Sequence, residues 1–223
     1  MKIEGTTMNI FAISDIHNAE NQLLKILNST RKYDCVFVAG DFTTHGSIAD
    51  VKRELSEIQK IAPKIYAVTG NMDSSAIDSW LIQEGYGLHG IGIHIGDFGI
   101  CGVSAAPRSI LRTPYELDED TLLDTLQKGW EMIQDFPLKV VLAHTPPFGT
   151  KVDKTRSGIH VGSKALRSFI EKNEPDLYIC GHIHEARGID TIGKTTVVNC
   201  GAVADGFFSL IEIGKTIKVE MCE

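Results

Sequence analysis

Short blocks of consecutive apolar residues alternate along this chain with longer stretches in which apolar residues recur every three or four positions. Residues 9–14 (NIFAIS), 35–39 (CVFVA), 64–69, 139–143 and 176–180 are blocks of the first kind. They are too short for helices and apolar on both faces, as strands buried in a parallel sheet are. Between them, Leu23, Leu24 and Leu27 share one helical face, with Asn18 placed to cap it. Ile48, Val51, Leu55 and Ile58 share another, opened by a Ser47/Asp50 capping box and closed ahead of Pro63. Leu122, Leu126, Trp130 and Ile133 mark a third helix, and Ser163 caps a fourth that carries Leu166, Phe169 and Ile170. Strand, helix, strand in this order predicts parallel pairing through right-handed crossovers.

Residues 85–103 depart from that rhythm. Gly, Ile and His alternate over short steps there, which predicts antiparallel strands with a tight turn at Gly96-Asp97. Residues 145–158 are rich in Gly, Thr and Pro and read as a loop; residues 187–219 read as hairpins. With no repeat, linker or low-complexity tract, the expected architecture is one α/β domain over residues 1–223, with two mixed sheets and outer helices. Residues 1–7 precede the first apolar run and are expected to be a short extension.

Chemistry-bearing residues collect where the apolar blocks end. Asp15-Ile16-His17, Gly40-Asp41, Gly70-Asn71-Met72-Asp73, Ala143-His144-Thr145 and Gly181-His182-Ile183-His184 follow the five blocks in turn. In open α/β sheets the loops at the carboxyl ends of strands converge, so these residues are expected to meet. Asp15, His17, Asp41, Asn71, His144, His182 and His184 offer oxygen and nitrogen enough for two adjacent divalent ions. Such a pair, roughly 3.5–4 Å apart, needs a bridging carboxylate, and Asp41 is assigned that place. Mixed imidazole, carboxylate and carboxamide ligands suit manganese, iron, zinc or nickel better than magnesium, with manganese the first choice.

This constellation resembles the calcineurin-like metallophosphoesterase superfamily, whose DxH, GDxx, GNH[DE], lone-histidine and GHxH motifs recur here in order from Asp15 to His184. Residues 160–185 are similar to the small Icc-like phosphoesterases of prokaryotes. The resemblance implies a four-layer α/β/β/α sandwich with two mixed β-sheets. It implies that Asp15, His17, Asp41 and His184 bind one metal and that Asp41, Asn71, His144 and His182 bind the other. It also implies a phosphoesterase, expected to be a phosphodiesterase, in which a metal-activated hydroxide attacks phosphorus in line.

One position breaks the family pattern. Met72 stands where Gly-Asn-His-Asp would place a histidine, the residue expected to touch a phosphate oxygen or protonate the leaving group. A thioether donates no proton, and general acid catalysis is worth roughly 10²–10⁴-fold. Alkyl phosphate monoesters are therefore less favoured substrates than diesters or aryl esters. The alternative is a metal-binding scaffold of the same fold with little catalysis. His160, in Gly158-Ile159-His160-Val161-Gly162-Ser163 ahead of a helix N-terminus, is a candidate for both catalysis and substrate binding, and otherwise a loop histidine. Arg108 is a candidate phosphate contact, and otherwise a surface ion-pair partner. His45, His89, His94 and Cys200 are read as structural or solvent-facing.

Composition narrows the partners. A net charge of −7 over 223 residues argues against long nucleic acids but not against a small phosphate ester or nucleotide-like substrate. Five scattered cysteines without a CxxC pair, and no apolar run long enough to span a membrane, make a reduced cytoplasmic setting the expectation, with no membrane partner. The pattern leaves the oligomeric state open.

Overall fold

Along the chain, the first elements of this computed structural model are β1 (Met8–Ile13), α1 (Glu20–Ser29), β2 (Cys35–Ala39), α2 (Ile48–Ile58), β3 (Ile65–Val68) and α3 (Ser75–Gln83). There follow β4 (Gly92–Ile95), β5 (Phe98–Val103), β6 (Ala106–Pro107), β7 (Glu116–Leu117), α4 (Glu119–Glu131) and β8 (Leu138–Ala143). The chain closes with α5 (Lys164–Asn173), β9 (Leu177–Cys180), β10 (Gly188–Ile192), β11 (Thr195–Asn199), β12 (Phe208–Ile213) and β13 (Ile217–Cys222). The structure describes residues 7–223, so the extension expected over residues 1–7 lies, but for Thr7, outside the described residues.

Two mixed sheets form, in the orders β13-β12-β1-β2-β3 and β10-β11-β9-β8-β5-β4. In the first sheet β1, β2 and β3 run parallel, with β12 and β13 added antiparallel. In the second, β11, β9, β8 and β5 run parallel between antiparallel edges β10 and β4.

The side-chain parity of the central strands explains the layering. Successive strand residues point to opposite faces. Phe11, Ile13, Val36 and Val38 therefore pack with Leu23, Leu27, Val51, Leu55, Ile77 and Leu81 of α1–α3. Their neighbours Ile10, Ala12, Cys35, Phe37 and Ala39 meet Ile100, Val140, Leu142, Leu177, Ile179 and Val198 of the other sheet. Cys101, Val141, Ala143, Tyr178 and Cys180 face outward again, onto Leu122, Leu126 and Trp130 of α4 and Leu166, Phe169 and Ile170 of α5. Helices, sheet, sheet and helices make the four layers expected from the resemblance. The five apolar blocks are apolar throughout because both faces of every central strand are covered.

Several local expectations change. Asn18 does not cap α1: its Oδ1 accepts from the Thr44 amide at 2.7 Å, tying two loops together, and Ala19 occupies the cap position. The Ser47/Asp50 capping box forms, and Ser163 accepts from the Leu166 amide, as their spacing predicts. α2 ends at Ile58, several residues ahead of Pro63, because residues 59–61 close it with a tighter turn. α3, capped by Ser74, adds to the sequence reading; its buried face offers only Ile77, Asp78 and Leu81, too few apolar positions for a clear period. The hairpins expected over residues 187–219 do form, divided between the sheets: β10–β11 extends the second, whereas β12–β13 returns to the first.

Candidate metal centre

The loops after β1, β2 and β3 of one sheet and after β8 and β9 of the other meet at one end of the sandwich. The loop after β1 zips onto the loop after β2, with the Asp15, His17 and Asn18 amides donating to the Gly40, Asp41 and Phe42 carbonyls at 2.9–3.1 Å. Across the sheets, the His182 amide donates to Asp15 Oδ2 at 2.9 Å, and within the second sheet the Gly181 amide donates to the His144 carbonyl at 3.0 Å. Two glycines permit this approach. A Cβ on Gly70 would lie 2.0 Å from Asp41 Oδ1, and one on Gly181 would lie 1.8 Å from Ser14 Oγ.

The backbone is held in an unusual state at the candidate ligands themselves. Asp15, His17, Asp41 and His182 all have positive φ, from 49° to 71°. Left-handed conformations in non-glycine residues cost on the order of 1–3 kcal/mol each and persist only where the surroundings impose them.

Two triads result, Asp15–His17–His184 and Asp41–His144–His182, the ligand atoms of each lying within 4.8 Å of one another. In the first, Asp15 Oδ1 lies 3.3 Å from His184 Nε2 and 3.7 Å from His17 Nε2, and those two nitrogens are 3.3 Å apart. In the second, His144 Nε2 lies 3.1 Å from His182 Nδ1 and 3.0 Å from Asn71 Oδ1. Asp41 belongs to both: its Oδ2 is 3.6 Å from His17 Nε2 and 3.4 Å from His144 Nε2. Its Oδ1 is held by the Met72 amide at 2.8 Å.

The chemistry of this donor set fits divalent cations. Asp15 is fully buried, and its Oδ1 has no hydrogen-bond partner among the described residues. His144 donates from Nδ1 to the Ala39 carbonyl at 2.8 Å, which turns Nε2 toward Asn71, Asp41 and His182, all of them acceptors. Only a positive charge reconciles these groups; such outer partners commonly orient metal-binding imidazoles. His17 is oriented likewise, with Nδ1 on Thr44 Oγ1 at 2.8 Å.

Without a metal, protons take the cation's place. Burial alone would lower His144, yet the Asp41 and Asp15 carboxylates outweigh it and raise the imidazole to about 9. Burial and the neighbouring His144 charge push His182 down to about 4. Burial raises the Asp15 carboxyl, but the His184 and His144 imidazoles beside it hold it well below the usual carboxylate range. At pH 7 a metal must therefore displace the His144 proton, whereas His182 is already neutral. Loading should release at least one proton per chain, and apparent affinity should tighten about tenfold per pH unit up to pH about 9. Calorimetry of metal binding in two buffers of different ionisation enthalpy checks this; heats identical in both would contradict it.

The structure thus brings all seven sequence-assigned ligands together. Arg108 is placed differently: its side chain is 73% exposed and lies 3.6 Å from Asp118 in a surface ion pair. His160 sits on the strap that follows His144, its Nδ1 2.7 Å from Asp153 Oδ1. His45 is exposed, His94 stacks on Phe136, and His89 accepts the Ser104 amide. Cys200 is fully buried, and burial pushes its thiol up to about 12. Sequence reasoning missed two acidic hubs. Asp73 accepts from the Gly70, Phe42 and Thr43 amides and so ties the loop after β3 to the loop after β2. Asp153 accepts from the Gly149, Thr150 and Gly162 amides. Asp73 stands inside a motif that pointed to it; no spacing singles out Asp153.

A family model described as calcineurin-like phosphoesterase matches residues 8–186. The chain belongs to the calcineurin-like phosphoesterase family. This phosphoesterase is 28% identical over 200 residues to an uncharacterised protein of Methanocaldococcus jannaschii, covering 86% of the chain and 87% of that protein. TT1561 of Thermus thermophilus shares its fold with a TM-score of 0.72 at 18% identity, over 98% of this chain and 99% of that one. A dimetal phosphatase from Danio rerio does so with a TM-score of 0.65 at 11% identity, over 96% and 95%. Family membership and the two ligand clusters make the phosphoesterase a metal-dependent phosphoric ester hydrolase. No helix among the described residues is long and apolar enough to cross a membrane.

Proposed function

We propose that the phosphoesterase is a phosphodiesterase acting on small, nucleotide-sized esters with two manganese ions. The observation that carries this reading is a full ligand set beside Met72. A monoester dianion presents one more anionic oxygen than a diester, and it calls for one more donor or cation. Met72 is half-buried, and its amide is already spent on Asp41; its thioether offers no proton. Arg108, the cation that sequence reading nominated, is engaged with Asp118, and the chain as a whole carries a net charge of −7. A diester, with its single charge, asks less of such surroundings.

When bound, two divalent cations supply Lewis-acid activation of water and stabilise charge developing on the phosphoryl oxygens. The chain's own part is positional. Asp41 reaches both triads with one oxygen because the Met72 amide holds the other. Asn71 directs its Oδ1 toward His144, and the Tyr115 amide fixes the Asn71 carbonyl at 3.0 Å. Mixed nitrogen and oxygen ligands favour manganese, with iron, zinc and nickel as the other candidates.

Bis(p-nitrophenyl) phosphate and p-nitrophenyl phosphate share a leaving group and differ in charge, so their kcat/KM values isolate the preference. The manganese-loaded protein should favour the diester by about 10–10²-fold, the scale of one hydrogen bond to a charged oxygen. Met72→His should narrow that ratio by raising the monoester. Equal kcat/KM on the two esters in the unaltered protein would overturn the reading.

A further inference from the structure

Residues 145–163 leave the metal centre directly after His144 and return to α5, forming a strap tied to the other ligand loop. Asn199 Nδ2 donates to both the Val152 and Ile183 carbonyls, at 3.1 and 2.9 Å, so one side chain joins the strap to the His182–His184 segment. The Arg156 amide donates to Glu185 Oε1 at 3.2 Å, one residue beyond His184. The inside of the strap is organised by Asp153, which is fully buried and accepts four backbone and side-chain hydrogen bonds from Gly149, Thr150 and Gly162. A fifth comes from His160 Nδ1 at 2.7 Å.

That contact sets the histidine's chemistry. A carboxylate only accepts, so His160 Nδ1 carries a proton, and the opposite ring nitrogen, Nε2, faces away from Asp153. Burial raises the Asp153 carboxyl, but His160 and the strap amides outweigh it and hold the group below its ordinary range, so it stays an anion at neutral pH. The His160 side chain is 35% exposed, packed against the Phe148 ring with centroids 5.8 Å apart. Around it stand Lys154, paired with His160 across the strap, Lys164 over the Phe148 ring, and Arg156 and Glu185 at the strap's edge. A buried carboxylate, an imidazole oriented through Nδ1 and a partly exposed ring on a strap tied to a ligand loop are the parts of a proton donor.

We infer that the Asp153–His160 pair supplies the leaving-group proton that Met72 does not. His160 is the donor and Asp153 its positioning residue. As the P–O bond to the leaving group breaks, its electron pair stays on that oxygen and takes the proton from His160 Nε2. The oxygen of water forms the new P–O bond, that water's proton passes to solvent, and His160 is reprotonated from solvent; nothing is oxidised or reduced. The inference rests on the phosphoester-hydrolase reading of the same site.

Methyl p-nitrophenyl phosphate and methyl phenyl phosphate carry the same charge and differ in how much their leaving groups need a proton. His160→Gln should lose on the order of 10²–10⁴-fold on the phenyl ester and markedly less on the nitrophenyl ester. Asp153→Asn should move the same ratio less far and shift the pH at which phenyl-ester turnover falls on the alkaline side. His94→Ala, on the far strand β4, should change neither ester. A second readout needs no turnover: manganese is paramagnetic, so the His160 ring signals should broaden on manganese loading but not on magnesium loading, while those of His94 stay sharp. Equal losses of His160→Gln on both esters, or His160 signals as sharp as those of His94 with manganese, would overturn the inference. Hydrolysis of aryl monoesters with the same leaving-group dependence would instead overturn the diester preference and leave the proton donor standing.

Discussion

Asp41→Asn is expected to lower turnover on bis(p-nitrophenyl) phosphate by at least about 10²–10³-fold and to bring bound metal below two ions per chain, with the fold unchanged. The two oxygens of Asp41 have opposite duties: Oδ1 accepts the Met72 amide at 2.8 Å, and Oδ2 faces His17 and His144 at 3.6 and 3.4 Å. An asparagine must place its NH₂ on one side or the other. Toward Met72 it sets donor against donor; toward the imidazoles it sets a donor where a cation belongs. Either way the bridge loses its charge. Relaxation of the backbone offers little rescue, because residue 41 already sits at a φ of 51° and is pressed against Gly70. Metal content by mass spectrometry under native conditions, together with steady-state rates, checks this. Two ions and full turnover in the variant would show that Asp41 does not bridge.

Glu54→Gln is expected to stabilise the protein, and more so as pH rises. Glu54 lies on the buried face of α2, 3% exposed, and its Oε2 has no partner among the described residues. Burial, then the Asp73, Asp50 and Glu20 carboxylates, push its carboxyl from 4.5 up to about 9, with Arg53 opposing weakly. The folded state thus holds this proton more tightly than the unfolded chain does. Its contribution to stability is complete below pH about 4.5 and is lost as pH rises toward about 9, at a slope of ~1.4 kcal/mol per pH unit. Glutamine removes the titration, so at pH 8 the variant should be more stable by on the order of 5 kcal/mol. Urea unfolding of the metal-free proteins at pH 6 and pH 9 reads the difference directly. Parallel stability profiles for the two proteins would refute the assignment.

How much of this was legible in the sequence depends on the range of the interaction. Strands buried on both faces announce themselves as unbroken apolar blocks, and their ends had to carry the ligands because loops from parallel strands converge there. Asp15, His17, Asp41, Asn71, His144, His182 and His184 could all be picked out on that ground. What holds them in place could not. The Ala39 carbonyl that orients His144 is a backbone group with no side-chain signature. The positive φ of Asp15 and His182 is imposed by contacts between segments far apart in sequence. Asn18 has the right chemistry for a helix cap but found a stronger claim in the Thr44 amide. Asp153 is one acidic residue in a polar loop until folding wraps the strap around it.

The division of the candidate ligands between the two sheets has a thermodynamic consequence. Asp15, His17, Asp41 and Asn71 belong to the N-terminal third of the chain, and His144, His182 and His184 to its second half. An ion held by both groups is a crosslink across a long loop that exists only in the folded state. By mass action it adds about 2.7 kcal/mol to the unfolding free energy at a free metal concentration of a hundred times its dissociation constant, and chelation takes that away. Left-handed strain at four of these candidate ligands draws on the same reserve. Resistance to unfolding should therefore track the metal supply, so that starvation for metal exposes the protein to proteolysis as well as silencing it.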